Sequence, residues 1–261
     1  MADATRAAAG RLGEQDTFAI PIAGGVATYA EPGSPFNKLA GLGFGGPPAA
    51  ADLEKVERAF AAQSCSVQIE LAHLGDPSLG ELLTSRGYRL VSFENVLGAA
   101  LDDRRTGDPE PVPSPGLIVR RSGADEFERW LDVMFEGFAS ADGQGVPSHE
   151  VFAREAMANA QRDFATVGVV RYAAELDGAL AGGGCMRVTS GIAQLTGAAT
   201  VPAYRRRGVQ TALLAARLAD AAAAGCGIAV VTTQPGSKSQ QNVQRRGFDL
   251  LFTRAILVKA G

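Results

Sequence analysis

The sequence predicts an α/β (α+β) chain made of two copies of one fold, and three observations carry that reading. Residues 195–221, LTGAATVPAYRRRGVQTALLAARLADA, read as a strand that enters a basic, glycine-containing turn and leaves it as a helix. Just upstream, the pairs Asp177-Gly178 and Ser190-Gly191 punctuate the chain as two-residue hairpin turns, which makes an antiparallel meander of three strands. The third observation is an internal repeat. LLTSRGYRLVSFENVLGA, residues 82–99, lies over NVQRRGFDLLFTRAILVK, residues 242–259, without a gap and at a constant offset of 160 residues, Arg86 to Arg246. Gly87 then meets Gly247, Tyr88 meets Phe248, Leu90 meets Leu250 and Leu97 meets Leu257.

Taken in order, residues 1–16 carry charges among alanines with no continuous apolar run, and a frayed tail is expected there. The first copy spans 17–100. Within it AADLEKVERAFAA, residues 50–62, is the central helix and SVQIELA, residues 66–72, the next strand, because the same offset lays them over the elements that follow the arginine turn. Four prolines among many charges mark residues 101–116 as a linker. The second copy, 117–261, opens with the strand LIVRR, residues 117–121. An amphipathic helix follows, with Phe127, Leu131, Met134, Phe135 and Phe138 on a core-facing stripe that Trp130 borders. A second helix is expected after Ser148, as its N-cap, with Glu150 in the first turn. The meander, the helix after Gly208, a strand over 227–233, a short helix and a last strand complete the copy.

Composition bounds the partners. The 261 residues, 46% of them hydrophobic, supply ample core for one large domain or two small ones. A net charge of −3 argues against general binding to nucleic acid or membrane, so the arginine run is a local feature. Cys65, Cys185 and Cys226 are odd in number and lack metal-ligand spacing. With no signal-peptide or transmembrane pattern, they read as reduced thiols filling the core of a cytoplasmic protein.

The turn is built to hold a pyrophosphate. Arg205, Arg206 and Arg207 precede Gly208, and Val209, Leu213 and Ala216 then fall at helical spacing, so the helix starts at the turn. Amides at a helix start have no intrahelical acceptor and sit at the positive end of the macrodipole, while the guanidiniums neutralise an anion docked there. Gly208 lacks a Cβ and lets that anion approach. The segment resembles the pyrophosphate loop of the GNAT superfamily of acyl-CoA-dependent N-acyltransferases, [QR]-x-x-G-x-[GA], with Arg205, Gly208 and Gln210 at its three defined positions. Gln210 departs from the pattern, standing where the family has a small residue. SQQNVQRRGF, residues 239–248, is similar to the family's last helix entering its closing strands, and the order β-α-α-β-β-β-α-β-α-β is the family's order.

This resemblance implies two GNAT-like domains, each a mixed, mostly antiparallel sheet flanked by helices, and acetyl-CoA as cosubstrate. It implies that strand amides of Ala199, Thr200 and Val201 bond the pantetheine arm. Arg205, Arg206, Arg207 and Gly208, with Val209, Gln210 and Thr211, would hold the pyrophosphate, and Asn242 would bond the cofactor from the last helix. The activity implied is N-acetyl transfer to a small-molecule amine by direct attack on the thioester, in a monomer or homodimer. The copies differ chemically: opposite YRRRGVQ the first has FGGPPAA, residues 44–50, without arginine and with Pro47 and Pro48 each removing an amide donor. Cofactor binding is therefore expected in the second copy alone.

An attacking amine must lose a proton, and the leaving thiolate can take one. The catalytic groups are unassigned by the sequence. Many relatives place a tyrosine four residues before the glycine matched to Gly247; here that position is Val243. IAQLTGAAT, residues 192–200, has no carboxylate. Glu136, His149 and Ser239 are the candidates, with Asp142 and Glu150 beside the acceptor-side loop. A thiol near pKa ~8.5 leaves readily enough to dispense with an acid. Two other readings stay open: a non-catalytic acyl-CoA-binding sensor or interaction module, which the missing tyrosine and carboxylate favour, and a nucleotide-phosphate binder using the same arginine turn.

Overall fold

Hairpin glycines, helical stripes and a few ion pairs remote in sequence place the elements of this chain. The computed structural model describes residues 2–12, 17–101, 114–140 and 149–260. In chain order these form α1 (Ala2–Leu12), β1 (Phe18–Ile22), β2 (Gly25–Tyr29), β3 (Lys38–Ala40), α2 (Ala50–Ala62), β4 (Val67–Ala72), α3 (Leu79–Ser85) and β5 (Arg89–Ala100). After them come β6 (Leu117–Arg121), α4 (Phe127–Ala139), α5 (Arg154–Thr166), β7 (Val169–Leu176), β8 (Ala179–Thr189) and β9 (Ile192–Thr200). A short 3₁₀ turn (Pro202–Tyr204), α6 (Val209–Ala223), β10 (Ile228–Thr233), α7 (Lys238–Gln244) and β11 (Asp249–Lys259) close the chain. Most of the expected linker, 102–113, lies outside the described residues, as do Asp142 and Ser148. No helix among the described residues is long and apolar enough to cross a membrane.

Two units divide these elements. The first comprises Met1–Asn95, Ser148–Val167 and Phe252–Gly261, and the second Val96–Pro147 and Gly168–Leu251. The units do not divide at the linker alone: most of β11 completes the first, and the last residues of β5 belong to the second.

In the first unit the strands run β1-β2-β3-β4-β11. β3 and β4 are parallel and the other pairs antiparallel, with β11 covering β4 from Arg254↔Ala72 to Lys259↔Val67. Its core joins Tyr29, Leu53, Val56, Phe60, Ile69, Leu83 and Tyr88 to Leu257. Residues 2–12 correct the expectation of a frayed tail. They form α1, because Ala4 and Ala8, each 0% exposed, are small enough to pack tightly with Ala30, Phe36 and Ala160, and Arg11 ties the helix end to Glu31 and Asp163, 2.9 Å each. The second helix of the later copy is corrected too. It starts at Arg154 with Ala153 as N-cap, not at Ser148. Glu150 is drawn instead into an ion cluster, accepting from Gln68 Nε2 (2.7 Å) and facing Lys38 Nζ (3.4 Å), while Lys38 also pairs with Glu70 (3.0 Å). Arg254 closes the cluster by bridging Glu70 and Glu94. The carboxylates facing Lys38 hold its ammonium above the usual lysine range against the opposing cost of its burial.

The second unit runs β5-β10-β9-β8-β7-β6, with β10 and β9 parallel and β9 through β6 an antiparallel meander. Its two hairpins turn at the expected pairs: Asp177 and Gly178 have φ of 53° and 81°, Ser190 and Gly191 of 49° and 74°. Leu213 and Leu214 of α6 and Val243 of α7 pack on Tyr172, Leu195 and Ala229 to form the core. The triplet Gly182-Gly183-Gly184 in β8 sets how closely the helices approach. A Cβ on Gly183 would lie 2.5 Å from Trp130 Nε1 of α4, one on Gly182 would lie 2.9 Å from Val209 Cγ1, and one on Gly184 would lie 3.1 Å from Arg217 Nη1 of α6. Strand alternation thus gives one residue to α4 and two to α6. Arg217 is buried, donates to the carbonyls of Leu213 (3.0 Å) and Cys185 (3.2 Å), and its pKa is pushed down to about 10 by desolvation. Trp130, expected at the border of the α4 stripe, is 0% exposed, whereas Phe138 is 52% exposed. The packing face turns toward Gly137, whose lack of a Cβ lets the helix meet β9 at Ala199 and Thr200.

Candidate functional site

The site begins where β9 and β10 part. Their parallel ladder runs from Ile228↔Ile192 to Val231↔Leu195 and stops, although β10 continues to Thr233 and β9 to Thr200. Residues 196–200 keep β8 as neighbour on one side, with a bulge at Gly197 (φ 40°), which the register skips between Ala198 and Thr196. A glycine inside a strand pattern is a signal for such a bulge, and LTGAAT carried it. Alternation decides which backbone groups face the opened edge. Val201 donates its amide to Ala181 O at 3.0 Å, toward β8, so Ala199, two residues earlier, faces the same way. Thr200 and Ala198 face the other side, as the bond from Arg205 Nε to Thr200 O (3.4 Å) agrees. Of Ala199, Thr200 and Val201, only Thr200 presents its amide to the opening, joined by Ala198.

Beyond β9 the chain turns through Pro202–Tyr204 into the arginine run. Arg206 and Gly208 both have left-handed backbones, φ 62° and 83°, and Gly208 is the N-cap of α6. The first i→i−4 bond of α6 is Ala212 N to Gly208 O, 2.9 Å, so the amides of Val209, Gln210 and Thr211 precede it. Ser114 Oγ accompanies the turn, donating to Arg207 O at 3.0 Å.

The three arginines part company. Arg205 donates through Nη2 to Gly137 O (3.1 Å) and to Ser140 O, the final carbonyls of α4, besides Thr200 O. Its guanidinium caps a helix C-terminus rather than standing free for an anion. Arg207 is tied to Asp177 at 3.0 Å in an exposed pair and lies 5.9 Å from the Tyr204 ring centroid. Arg206 is exposed at the turn. Gln210 accepts a 2.5 Å bond from Asn242 Nδ2, so the residue that replaces the small one of the loop pattern has its side chain engaged by α7.

The catalytic candidates are scattered. Glu136 is exposed on α4, whereas His149 belongs to the first unit, with Nε2 3.3 Å from Gln68 Oε1. Ser239 is half-buried in α7, and the N-cap there is Ser237, which accepts from Gln240 N. Val243, at the position where relatives carry a tyrosine, is 5% exposed within the core.

Replacing Arg205 by alanine is expected to cost about 1.5–3 kcal/mol of stability in the second unit, because carbonyls at the end of α4 lose a charged donor. Arg206→Ala should cost less than about 0.5 kcal/mol. Denaturant titration of both variants checks this; equal losses would refute the capping role.

The sheet whose parallel pair opens into a wedge, followed by the glycine turn and the helix start of α6, has the GNAT fold. Residues 126–248 match the model of the acetyltransferase (GNAT) family, whose general chemistry is acetyl transfer. A GCN5-related N-acetyltransferase from Kribbella flavida superposes with a TM-score of 0.68, covering 99% of this chain and 96% of its own at 19% identity. A tandem GNAT protein from the clavulanic acid biosynthesis pathway also reaches 0.68, over 99% of this chain and 88% of its own at 15% identity. A GCN5-related N-acetyltransferase from Sphaerobacter thermophilus gives 0.61 at 17% identity, over 91% and 80%. At such identities the likeness is one of fold: a mixed, mostly antiparallel sheet flanked by helices, matched over nearly the whole chain. No curated protein matches the sequence.

Proposed function

We propose that the second unit binds acetyl-CoA and transfers its acetyl group to a small amine by direct attack on the thioester. The observation that carries this is the unpaired edge of β9, residues 196–200, leading straight into the turn of Arg206 and Gly208. The residues present suit the cosubstrate. Val209, Gln210 and Thr211 offer helix-start amides to the pyrophosphate, with Arg206 as counter-charge, and the Gln210–Asn242 pair lies alongside. Thr200 and Ala198 offer amides along the opened edge to the pantetheine arm. In the reaction the amine nitrogen bonds to the acyl carbon, the C–S bond breaks, and the thiolate leaves while the nitrogen loses a proton. β9 supplies no carboxylate, so water carries that proton, and the strand amides polarise the carbonyl. The division into a degenerate 17–100 copy and an active 117–261 copy belongs to the same reading. In the first unit β3 pairs with β4 through Leu39↔Ile69 and Ala40↔Glu70, the last residues of β3, so no comparable wedge opens before its proline-bearing turn.

Calorimetric titration should show one acetyl-CoA per chain. Steady-state transfer to a panel of small amines should rise from pH 6 to pH 9 as the free amine fraction grows. Two sites would overturn the assignment to one unit. Tight binding without turnover for any amine would leave the non-catalytic sensor, which the buried Val243 favours.

A further inference from the structure

We propose that the hydroxyl of Thr233 is a ligand for the thioester-proximal amide of the pantetheine arm; this rests on the acetyl-CoA reading above. Thr233 is the last residue of β10 and is 5% exposed, and its Oγ1 is buried with no hydrogen-bond partner among the described residues. Buried hydroxyls are paired as a rule, so this orphan has its bonding capacity free for a group arriving from outside. Its place says which partner. The β9–β10 ladder ends two residues earlier, at Val231↔Leu195, and continuing that register sets Thr233 level with the Gly197 bulge. From there to the end of the opened edge at Thr200 is about 10 Å of extended strand, a span along which a pantetheine arm can lie on its way from the turn before α6. Alternation puts Thr233 on the same strand face as Ala229 and Val231, which pack into the apolar cluster containing Leu213 and Val243. Valine would fill that surrounding without a polar cost. A hydroxyl can donate to the amide carbonyl or accept from its N–H, and either bond positions the neighbouring acyl carbon against the free edge of β9.

The test uses the full chain in three forms: wild type, Thr233→Val and Thr233→Ser. In calorimetry Thr233→Val should bind acetyl-CoA about 5- to 10-fold more weakly, with Thr233→Ser close to wild type. Adenosine 3′,5′-bisphosphate, which lacks the pantetheine arm, should bind all three alike. Without ligand, Thr233→Val should be at least as stable as wild type, since it removes an unsatisfied group. Acetyl-CoA affinity unchanged in Thr233→Val, an equal loss for the bisphosphate, or a destabilised unliganded variant would each overturn the proposal while leaving the acetyl-CoA reading standing. A wild-type chain that binds neither compound overturns both.

Discussion

Trp130→Ala is expected to lower the stability of the second unit by about 3–5 kcal/mol, the range for truncating a large, fully buried aromatic side chain. Two features put it there. The indole is 0% exposed and donates its Nε1–H to Tyr172 O at 2.8 Å, so truncation opens a cavity and also orphans a buried carbonyl. Refilling the cavity is difficult, because the opposing strand face is Gly183, which has no side chain to swing into the void. Strand backbone relaxes less than a side chain does. Chemical denaturation followed by far-ultraviolet circular dichroism measures the loss, with each unit's transition fitted separately. A change under about 1 kcal/mol would mean that α4 repacks freely and that the glycine contact is not limiting.

Gly208→Val should weaken acetyl-CoA binding by about 10- to 100-fold in a chain that still folds. The residue sits at φ 83°, where a β-branched side chain is strained by about 1–3 kcal/mol. A Cβ there would also come within 3.1 Å of Ser114 Oγ, so the strain is relieved only by moving the turn. Moving the turn misaligns the amides that the phosphate needs. Calorimetry at a temperature where circular dichroism shows the variant native separates binding from unfolding. Wild-type affinity in the folded variant would remove the turn from the cofactor site.

Much of this architecture was legible because its signals are local. Asp177-Gly178 and Ser190-Gly191 demand left-handed backbones within two residues, and the helix after Gly208 announces itself by spacing alone. What stayed hidden depends on partners far along the chain. Arg205 reads as an anion ligand until Ser140, 65 residues earlier, is found to supply its acceptor. α1 reads as a tail because its buried side chains, Ala4, Thr5 and Ala8, are small, and their value lies in the close approach they permit and not in their hydrophobicity. The start of α5 shifts because Glu150 finds Lys38, 112 residues away. Val243 shows the same limit at the candidate site: its position in the sequence pattern is plain, but its orientation into the core is set by α6 and the sheet.

The borrowed strand has a consequence for how the chain is made. On one side β4 pairs with β3, available early, but its other neighbour is β11, whose residues 254–259 are made long after β4. At about 5–20 residues per second, a ribosome needs roughly ten to forty seconds to add the residues between them. Throughout that time the nascent first unit carries an open strand edge, the kind of surface that recruits other chains. Synthesis of residues 254–259 is thus a closing event for the sheet of the first unit, and a chain released before them is left with that sheet unfinished.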